Sequence, residues 1–241
     1  MSDILGNILT VLAVLTFGYL WGSIQNGVII GKLFFKKDPR EYGSHNSGGT
    51  NSGRLFGEKV GLLVIFLDML KGAIAFWSVW AVIRFSGVRE VFAMWDDGVF
   101  YCWLTFFGVV VGHCYPLYAD FKGGKAVSSF MGSLGGTSWV SLIYCFATFF
   151  PLYRSKRIVS AASLVSGLAI VIITWTLAIA FRFSGWTEAS SILMWNFGNG
   201  GGLFFCWEQA TVITLEYGLL VFRHRENIKR MKAGSERPVD Y

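Results

Sequence analysis

Residues 126–153, AVSSFMGSLGGTSWVSLIYCFATFFPLY, hold no Asp, Glu, Lys or Arg, and two adjacent glycines, Gly135 and Gly136, stand near their middle. About 20 apolar residues suffice to cross a bilayer as a helix, so these 28 read at first as one crossing. Paired glycines, however, break a helix and permit a tight reversal. The stretch then becomes two short helices that leave and return on the same side of the membrane. Which of the two it is fixes the topology of the whole chain, and the flanking charges decide.

Working outward, three more stretches lack any charged side chain: 4–31, 98–119 and 158–181, of 28, 22 and 24 residues. The 241-residue chain is 54% hydrophobic and only 15% charged, with mean hydropathy +0.51; soluble domains carry roughly 25% charged residues. An all-α integral membrane protein is the class these figures allow. Expected spans lie near 4–27, 58–83, 98–117, 126–153, 158–181 and 200–222. Segment 28–59 carries Lys32, Lys36, Lys37, Arg40, Arg54 and Lys59, and the tail from 223 carries Arg223, Arg225, Lys229, Arg230, Lys232 and Arg237. Segments 84–97 and 182–197 have little basic excess. Cytoplasmic loops collect Lys and Arg, so the first two segments belong inside and the last two outside. Six simple crossings cannot satisfy that pattern, because they would return the tail to the side of the N-terminus. A turn at Gly135-Gly136 does satisfy it, and it also leaves Arg154-Ser155-Lys156-Arg157 inside. The sequence therefore predicts one domain over 1–241 with seven transmembrane helices, the fourth and fifth short. Its N-terminus lies outside and its C-terminus in the cytoplasm.

The net charge of +6 is accounted for by this positive-inside bias. No basic surface interleaved with aromatics lies outside the spans, so nucleic acid is not an expected partner. Cys102, Cys114, Cys145 and Cys206 show no C-x-x-C spacing and read as small apolar packers. The first span lacks a basic n-region and an A-x-A-like site, and reads as an uncleaved signal anchor.

Three polar islands border the spans, and all fall on the cytoplasmic side of this topology. The first is Tyr42-Gly43-Ser44-His45-Asn46-Ser47-Gly48-Gly49-Thr50-Asn51, closing with Arg54. Its glycines leave backbone N–H groups open, Ser44, Asn46, Thr50 and Asn51 add neutral partners, and Arg54 adds a bidentate anion clamp. A plain flexible loop would be rich in Gly, Ser and Asn too, but needs no arginine beside the next membrane entry. The second island, Phe121-Lys122-Gly123-Gly124-Lys125, opens a helix whose N–H groups point at whatever binds there. A pair of lysines snorkelling at the membrane edge is the alternative. The third is Arg223-His224-Arg225-Glu226-Asn227, continuing to Lys229 and Arg230. Most of its cations serve as topology anchors, whereas His224 can move a proton and shares a helical face with Asn227. His45 and His113 lack such company and read as structural. Inside the spans, Asp68 and Lys71 sit three apart, either as a mutual ion pair or lining the site. Ser160 and Ser163 either reach an anion from the cytoplasmic side or mediate helix packing.

Taken together, these motifs resemble the bacterial acyl-phosphate:glycerol-3-phosphate acyltransferases, the PlsY family, over nearly the whole chain. The likeness rests on Gly22-Ser23-Ile24, Tyr42-Gly43-Ser44 with Asn46 and Gly48, Thr50-Asn51 to Arg54, and Leu67-Asp68 with Lys71-Gly72. It continues through Gly112-His113 with Pro116, Phe121 to Lys125, Ser160 with Ser163, and Arg223 to Arg230. The resemblance implies seven helices and transfer of a fatty acyl group from acyl phosphate to the 1-hydroxyl of glycerol 3-phosphate, giving lysophosphatidate and phosphate. It implies a bacterial cell-membrane protein in contact with membrane lipids, without metal or cofactor, its site facing the cytoplasm. By it, Ser44 and Arg54 belong to the catalytic centre with His224 and Asn227. Asn46, Thr50, Asn51, Lys122, Gly123, Gly124, Lys125, Ser160 and Ser163 bind substrate or phosphate. Asp68, Lys71 and Glu226 give structural support. The chain departs from the family's pattern at Gln25, where proline is usual, at His45 and Ala126, where glycine is usual, and at Gly49, where alanine is usual.

An acyl phosphate is already activated, so charge neutralisation, alignment and one proton transfer remain for the enzyme. His224 or a substrate phosphate takes that proton. A soluble-type His-x4-Asp centre is excluded, because Thr50, Tyr118 and Lys229 stand five residues after the three histidines. The rival reading from another class is a transporter or exchanger of a phosphorylated solute. It calls for a site near the membrane midplane instead of a cluster on one face.

Overall fold

The computed structural model describes residues 2–88, 98–184 and 206–239, and no strand occurs among them. Ten α-helices follow one another there: α1 Ser2–Gly22, α2 Asn26–Phe35, α3 Gly49–Phe56, α4 Glu58–Phe85 and α5 Val99–Cys114, then α6 Val127–Gly135, α7 Trp139–Lys156, α8 Val159–Ser184, α9 Trp207–Arg223 and α10 Arg225–Lys232. Among the described residues, four helical stretches are long and apolar enough to cross a membrane: Ile4–Phe35, Glu58–Phe85, Val99–Ala119 and Val159–Phe183. The apolar segments near 85–97 and 182–200 and the opening of the expected last span at 200 fall largely on residues 89–97 and 185–205, outside the described residues.

The burial pattern is that of a protein with lipid for solvent. Leu62, Phe66, Val165 and Ile172 lie exposed on helix surfaces, while Asn7, Thr105, Gln209 and Glu216 are buried. With no hydrophobic drive between helices in lipid, close backbone approach has to hold them together, and small residues permit it. α1 and α5 meet in this way. Gly18 and Gly22 face Gly108 and Gly112, and a Cβ on any of the four would collide with backbone of the opposite helix. Beside that seam, Phe76 of α4 packs against Trp103 and Phe106 of α5 with ring centroids 5.2 and 5.0 Å apart.

Two expected spans are divided. The span 4–27 stops at Gly22, because the buried Lys71 ammonium takes the carbonyls of Gly22 (3.0 Å) and Ile24 (2.8 Å) out of the helical ladder. The chain then re-enters as α2. The stretch 126–153 turns at Gly136-Thr137-Ser138, where Ser138 caps α7 by accepting the Ser141 N–H. Its arms are unequal: α6 has nine residues and α7 has 18. At 1.5 Å per residue these rise about 14 and about 27 Å, so α6 alone stops short. A cavity of about 640 Å³ lies between α1 and α4, lined by Leu9, Ala13, Phe17, Trp21, Val79 and Val82 among others.

Candidate active site

The first island is shaped by one side chain. Asn51 donates from Nδ2 to the carbonyls of Pro39 (2.7 Å), Tyr42 (3.0 Å) and Asn46 (2.9 Å), and its Oδ1 accepts the Ser44 N–H at 2.9 Å. A residue expected to bind substrate is thus fully used in folding the loop, with the exposed Ser44 at its tip. Asn46 serves similarly: its Oδ1 accepts the Gly48 N–H at 2.7 Å, and its Nδ2 donates to the Gly123 carbonyl at 3.3 Å, joining the first island to the second. Just before the loop, Arg40 binds Asp38 at 2.7 Å and donates to the Ala119 carbonyl at 2.6 Å. The Arg40 guanidinium holds the Asp38 carboxyl down at about 2. Thr50 lies in the first turn of α3, and Arg54 in its last turn is exposed.

The glycine loop is held by its backbone. Gly124 donates its N–H to the His113 carbonyl at 2.9 Å, so that group is not open to a ligand. The carbonyls of Gly123 and Gly124 accept from Arg223 at 3.3 and 3.1 Å. Any Cβ at Gly124 would overlap the His113 ring, and one at Gly123 would overlap the His113 carbonyl. Both glycines are therefore demanded by close approach. Ala126 adopts φ +70° at the α6 N-terminus, where an L side chain crowds its own backbone. The first α6 bond runs from Phe130 N–H to the Ala126 carbonyl, which leaves the N–H groups of Val127 and Ser128 facing outward from the helix start. Lys122 is exposed. Lys125 is half-buried and donates to Asn227 Oδ1 at 2.8 Å. Burial, with Arg230, Arg223 and Arg54 nearby, holds the Lys125 amine down at about 8, against the opposing pull of Glu236.

The third island begins where α9 ends. His224 is buried, and its Nδ1 lies 2.8 Å from the Leu220 carbonyl. A carbonyl only accepts, so Nδ1 carries the hydrogen and Nε2 keeps its lone pair. Burial and the cations Lys125 and Arg223 hold His224 down at about 4, although the Leu220 bond and Glu236 oppose them. Asn227 donates to Ser160 Oγ at 2.7 Å and to Glu236 Oε1 at 2.6 Å. Ser160 also donates to Glu236 at 2.7 Å, and Arg230 closes on its other oxygen at 2.7 Å. Burial tends to raise the Glu236 carboxyl, but the bonds from Ser160, Asn227 and Arg230 outweigh it and set the group below the usual carboxylate range. Ser163, by contrast, turns back to the Val159 carbonyl of its own helix.

The structure thus brings Asn46, the glycine loop, Lys125, Arg223, Asn227 and Ser160 together. Arg54 reaches the same place through the tail, its Nη2 3.3 Å from the Pro238 carbonyl. Glu226 stays outside, exposed and paired with Lys229 at 3.1 Å; the bridging glutamate is Glu236, which the sequence reading passed over. Its signal was faint, one of three carboxylates, Glu226, Glu236 and Asp240, in a basic tail. His113, expected to be structural, is buried against the glycine loop. Its Nδ1 meets Lys71 Nζ at 3.1 Å, and Lys71 pairs with Asp68 at 3.2 Å, so of the two alternatives for that pair the mutual ion pair is present. Another glutamate went unnoticed in α9, where buried Glu216 accepts from Ser133 of α6 at 3.0 Å.

Comparison with known proteins gives a consistent outcome. The sequence model of a family described as glycerol-3-phosphate acyltransferase matches residues 12–234. A glycerol-3-phosphate acyltransferase of Staphylococcus saprophyticus is 32% identical, covering 96% of this chain and 98% of its own length. That of Enterococcus faecalis is 35% identical, with 96% and 93% covered. Among solved structures, the glycerol 3-phosphate form of PlsY, an integral membrane glycerol 3-phosphate acyltransferase, superposes with a TM-score of 0.71 at 30% identity, covering 95% of this chain and 94% of that one. Its lysophosphatidic acid form gives 0.69 at 29% identity, with the same coverage.

Proposed function

Because the chain belongs to the glycerol-3-phosphate acyltransferase family, we propose that it transfers a fatty acyl group from acyl phosphate to the 1-hydroxyl of glycerol 3-phosphate. The observation that carries this reading is the meeting of the three islands: Asn46 of the first reaches the Gly123 carbonyl of the second at 3.3 Å, Lys125 of the second reaches Asn227 of the third at 2.8 Å, and Asn227 reaches Ser160 at 2.7 Å. They form a cationic, amide-rich cradle beside the start of α6. Such a place stabilises phosphate charge both before and during transfer. Lys125 and the α6 N-terminus hold one phosphate, with Asn227 and Ser160, whose donors are taken up by each other and by Glu236, fixing the lysine beside it, while Arg54, Ser44 and Lys122 approach from the exposed side. Asn46, Thr50 and Asn51 shape the first loop, and Gly123 and Gly124 shape the second.

In the reaction, the hydroxyl oxygen attacks the acyl carbonyl carbon, the bond from that carbon to the phosphate oxygen breaks, and phosphate leaves. The hydroxyl proton goes to a substrate phosphate. Its second ionisation lies near 6, so it is the stronger base beside an imidazole held at about 4. His224 Nε2 accepts the hydroxyl hydrogen bond and orients the oxygen. Activity of His224→Ala within tenfold of the parent agrees with this division; abolition would make His224 the base. The acyl chain is assigned to the cavity between α1 and α4. That cavity includes Trp21, whose indole N–H donates to the Lys71 carbonyl at 2.9 Å beneath the loops.

We further propose seven crossings, with α6 and α7 as the fourth and fifth. The N-terminus lies outside, and the site faces the cytoplasm of a bacterial inner membrane. The reading is tested by supplying the purified chain with labelled glycerol 3-phosphate and either acyl phosphate or acyl-CoA. Lysophosphatidate and phosphate formed one for one from acyl phosphate support it; product from acyl-CoA alone removes the assigned donor. Uptake of labelled solute into vesicles without lysophosphatidate would establish the transporter instead.

A further inference from the structure

Gln25 stands at the N-cap of α2 and is 4% exposed. Its amide bridges two loops. Oε1 accepts the Ser47 hydroxyl at 2.6 Å, and Nε2 donates to the His113 carbonyl at 3.4 Å and the Gly22 carbonyl at 3.5 Å. That His113 carbonyl is the one that accepts the Gly124 N–H. Ser47 is itself 1% exposed and lies between Asn46 and Gly48 in the first island. A continuous path of hydrogen bonds therefore runs from the first island through Gln25 and His113 into the glycine loop.

The path rests on a fixed base. Lys71 clamps the carbonyls of Gly22 and Ile24 immediately before Gln25, meets His113 Nδ1 and pairs with Asp68. Asp68 in turn accepts from Asn26, the residue after Gln25, at 2.9 Å. The backbone on both sides of Gln25 is thus pinned, and its side chain carries this link beside the direct Asn46–Gly123 bond. The bridge needs an acceptor facing the serine hydroxyl and a donor facing a carbonyl, on one stem of the right length. Glutamine supplies both; an ionised carboxylate lacks the donor, and an aliphatic chain lacks both.

We propose that Gln25 is a positioning residue for acyl transfer, its buried amide setting the first substrate loop and the glycine loop at a fixed distance. It touches no substrate. The proposal rests on the acyltransferase reading for its kinetic test and on anion binding alone for its second. Losing the bridge loosens two loops that grip phosphate equally in ground and transition states, so KM for glycerol 3-phosphate rises while kcat is kept. A merely structural role would instead reduce the fraction of folded enzyme, lowering kcat at constant KM.

The test compares the purified full chain with Gln25→Leu, Ser47→Ala and the double variant. Expected are a KM about tenfold higher for Gln25→Leu, with kcat within about twofold, and no further loss in the double variant, because one path is cut once. Unchanged KM, a loss carried by kcat alone, or losses that multiply would each overturn it. Calorimetric titration with glycerol 3-phosphate reads the same link without turnover. If the parent binds but does not transfer, an affinity about tenfold weaker in Gln25→Leu keeps the positioning role while the acyltransferase reading falls. Equal affinities would remove the role.

Discussion

The first island and the C-terminal tail close on the same cradle by opposite means. Neutral amides build the first. Asn51 gathers three carbonyls and an N–H, Asn46 reaches Gly123, and Gln25 reaches Ser47 and His113. Charge builds the second: Glu236 sits between Ser160, Asn227 and Arg230, close enough to influence Lys125 and His224. Neutral bonds of that kind are indifferent to pH and salt, and they fix a shape. Charged partners respond to both, and they set the affinity of a neighbouring cation for an incoming anion. The rigid half of the site is thereby separated from its tunable half.

The strongest way to break the contrast is to remove Asn51. Asn51→Ala leaves the Ser44 N–H and the Asn46 carbonyl without a described partner and takes one of two donors from the Pro39 and Tyr42 carbonyls; each stranded group costs roughly 1–3 kcal/mol when buried. Activity should fall at least about 100-fold, with a lowered unfolding temperature at every salt concentration. In the tail, Glu236→Ala leaves Asn227 and Ser160 short of an acceptor and Arg230 short of its partner. A loss of about 10- to 100-fold in kcat/KM is expected. Glu236→Gln keeps the shape but not the charge, so it should recover most of that loss while shifting the pH profile.

That profile is where the charged half shows itself. Lys125 is held at about 8, so it is cationic below that pH and loses its charge as pH rises through it. Binding of an anionic substrate should weaken over the same range, read as kcat/KM against pH. Lys125→Arg, cationic throughout, should remove the decline. The effect of His224 on stability has the other sense. Its folded value of about 4 lies below the ordinary 6.5, so the unfolded chain takes up the proton first. Stability should be full above about 6.5 and fall as pH drops toward about 4, and His224→Gln should flatten that slope in thermal unfolding.

The smallest expected change is a gain. Ala126 holds φ +70° and His45 φ +52°, the two positions at which the family resemblance leads one to expect glycine. Ala126→Gly should raise stability by about 1 kcal/mol, measured by thermal unfolding, with activity within twofold. His45→Gly should gain less. Histidine tolerates the left-handed region better than alanine, and its Nδ1 already meets the Arg40 carbonyl at 3.0 Å.

What could be read beforehand divides along similar lines. Uninterrupted apolar runs and the glycine pair at 135–136 made the membrane class and the helix break legible, because backbone in lipid must satisfy its hydrogen bonds internally, and long apolar runs do so as helices. Local motifs marked Ser44, Lys125, His224 and Asn227 as candidates, of which the structure joins Lys125 and Asn227. Long-range partners were not legible. Nothing near Glu236 announces that it will meet Ser160, 76 residues away, and nothing near Lys71 shows that it will end the first helix. The roles of Asn46 and Asn51 were also hidden, since an amide that binds substrate and one that folds a loop look alike in sequence. Gln25 stood out only as a departure; its meaning needed the distance to Ser47.

The central claim is that the islands form one anion site, and the link between Lys125 and Asn227 tests it most directly. A kinetic double-mutant cycle compares kcat/KM for glycerol 3-phosphate in the parent, Lys125→Met, Asn227→Leu and the pair. One shared site predicts that the double variant loses no more than about threefold beyond the worse single variant. Losses that multiply would show two independent groups and contradict the account.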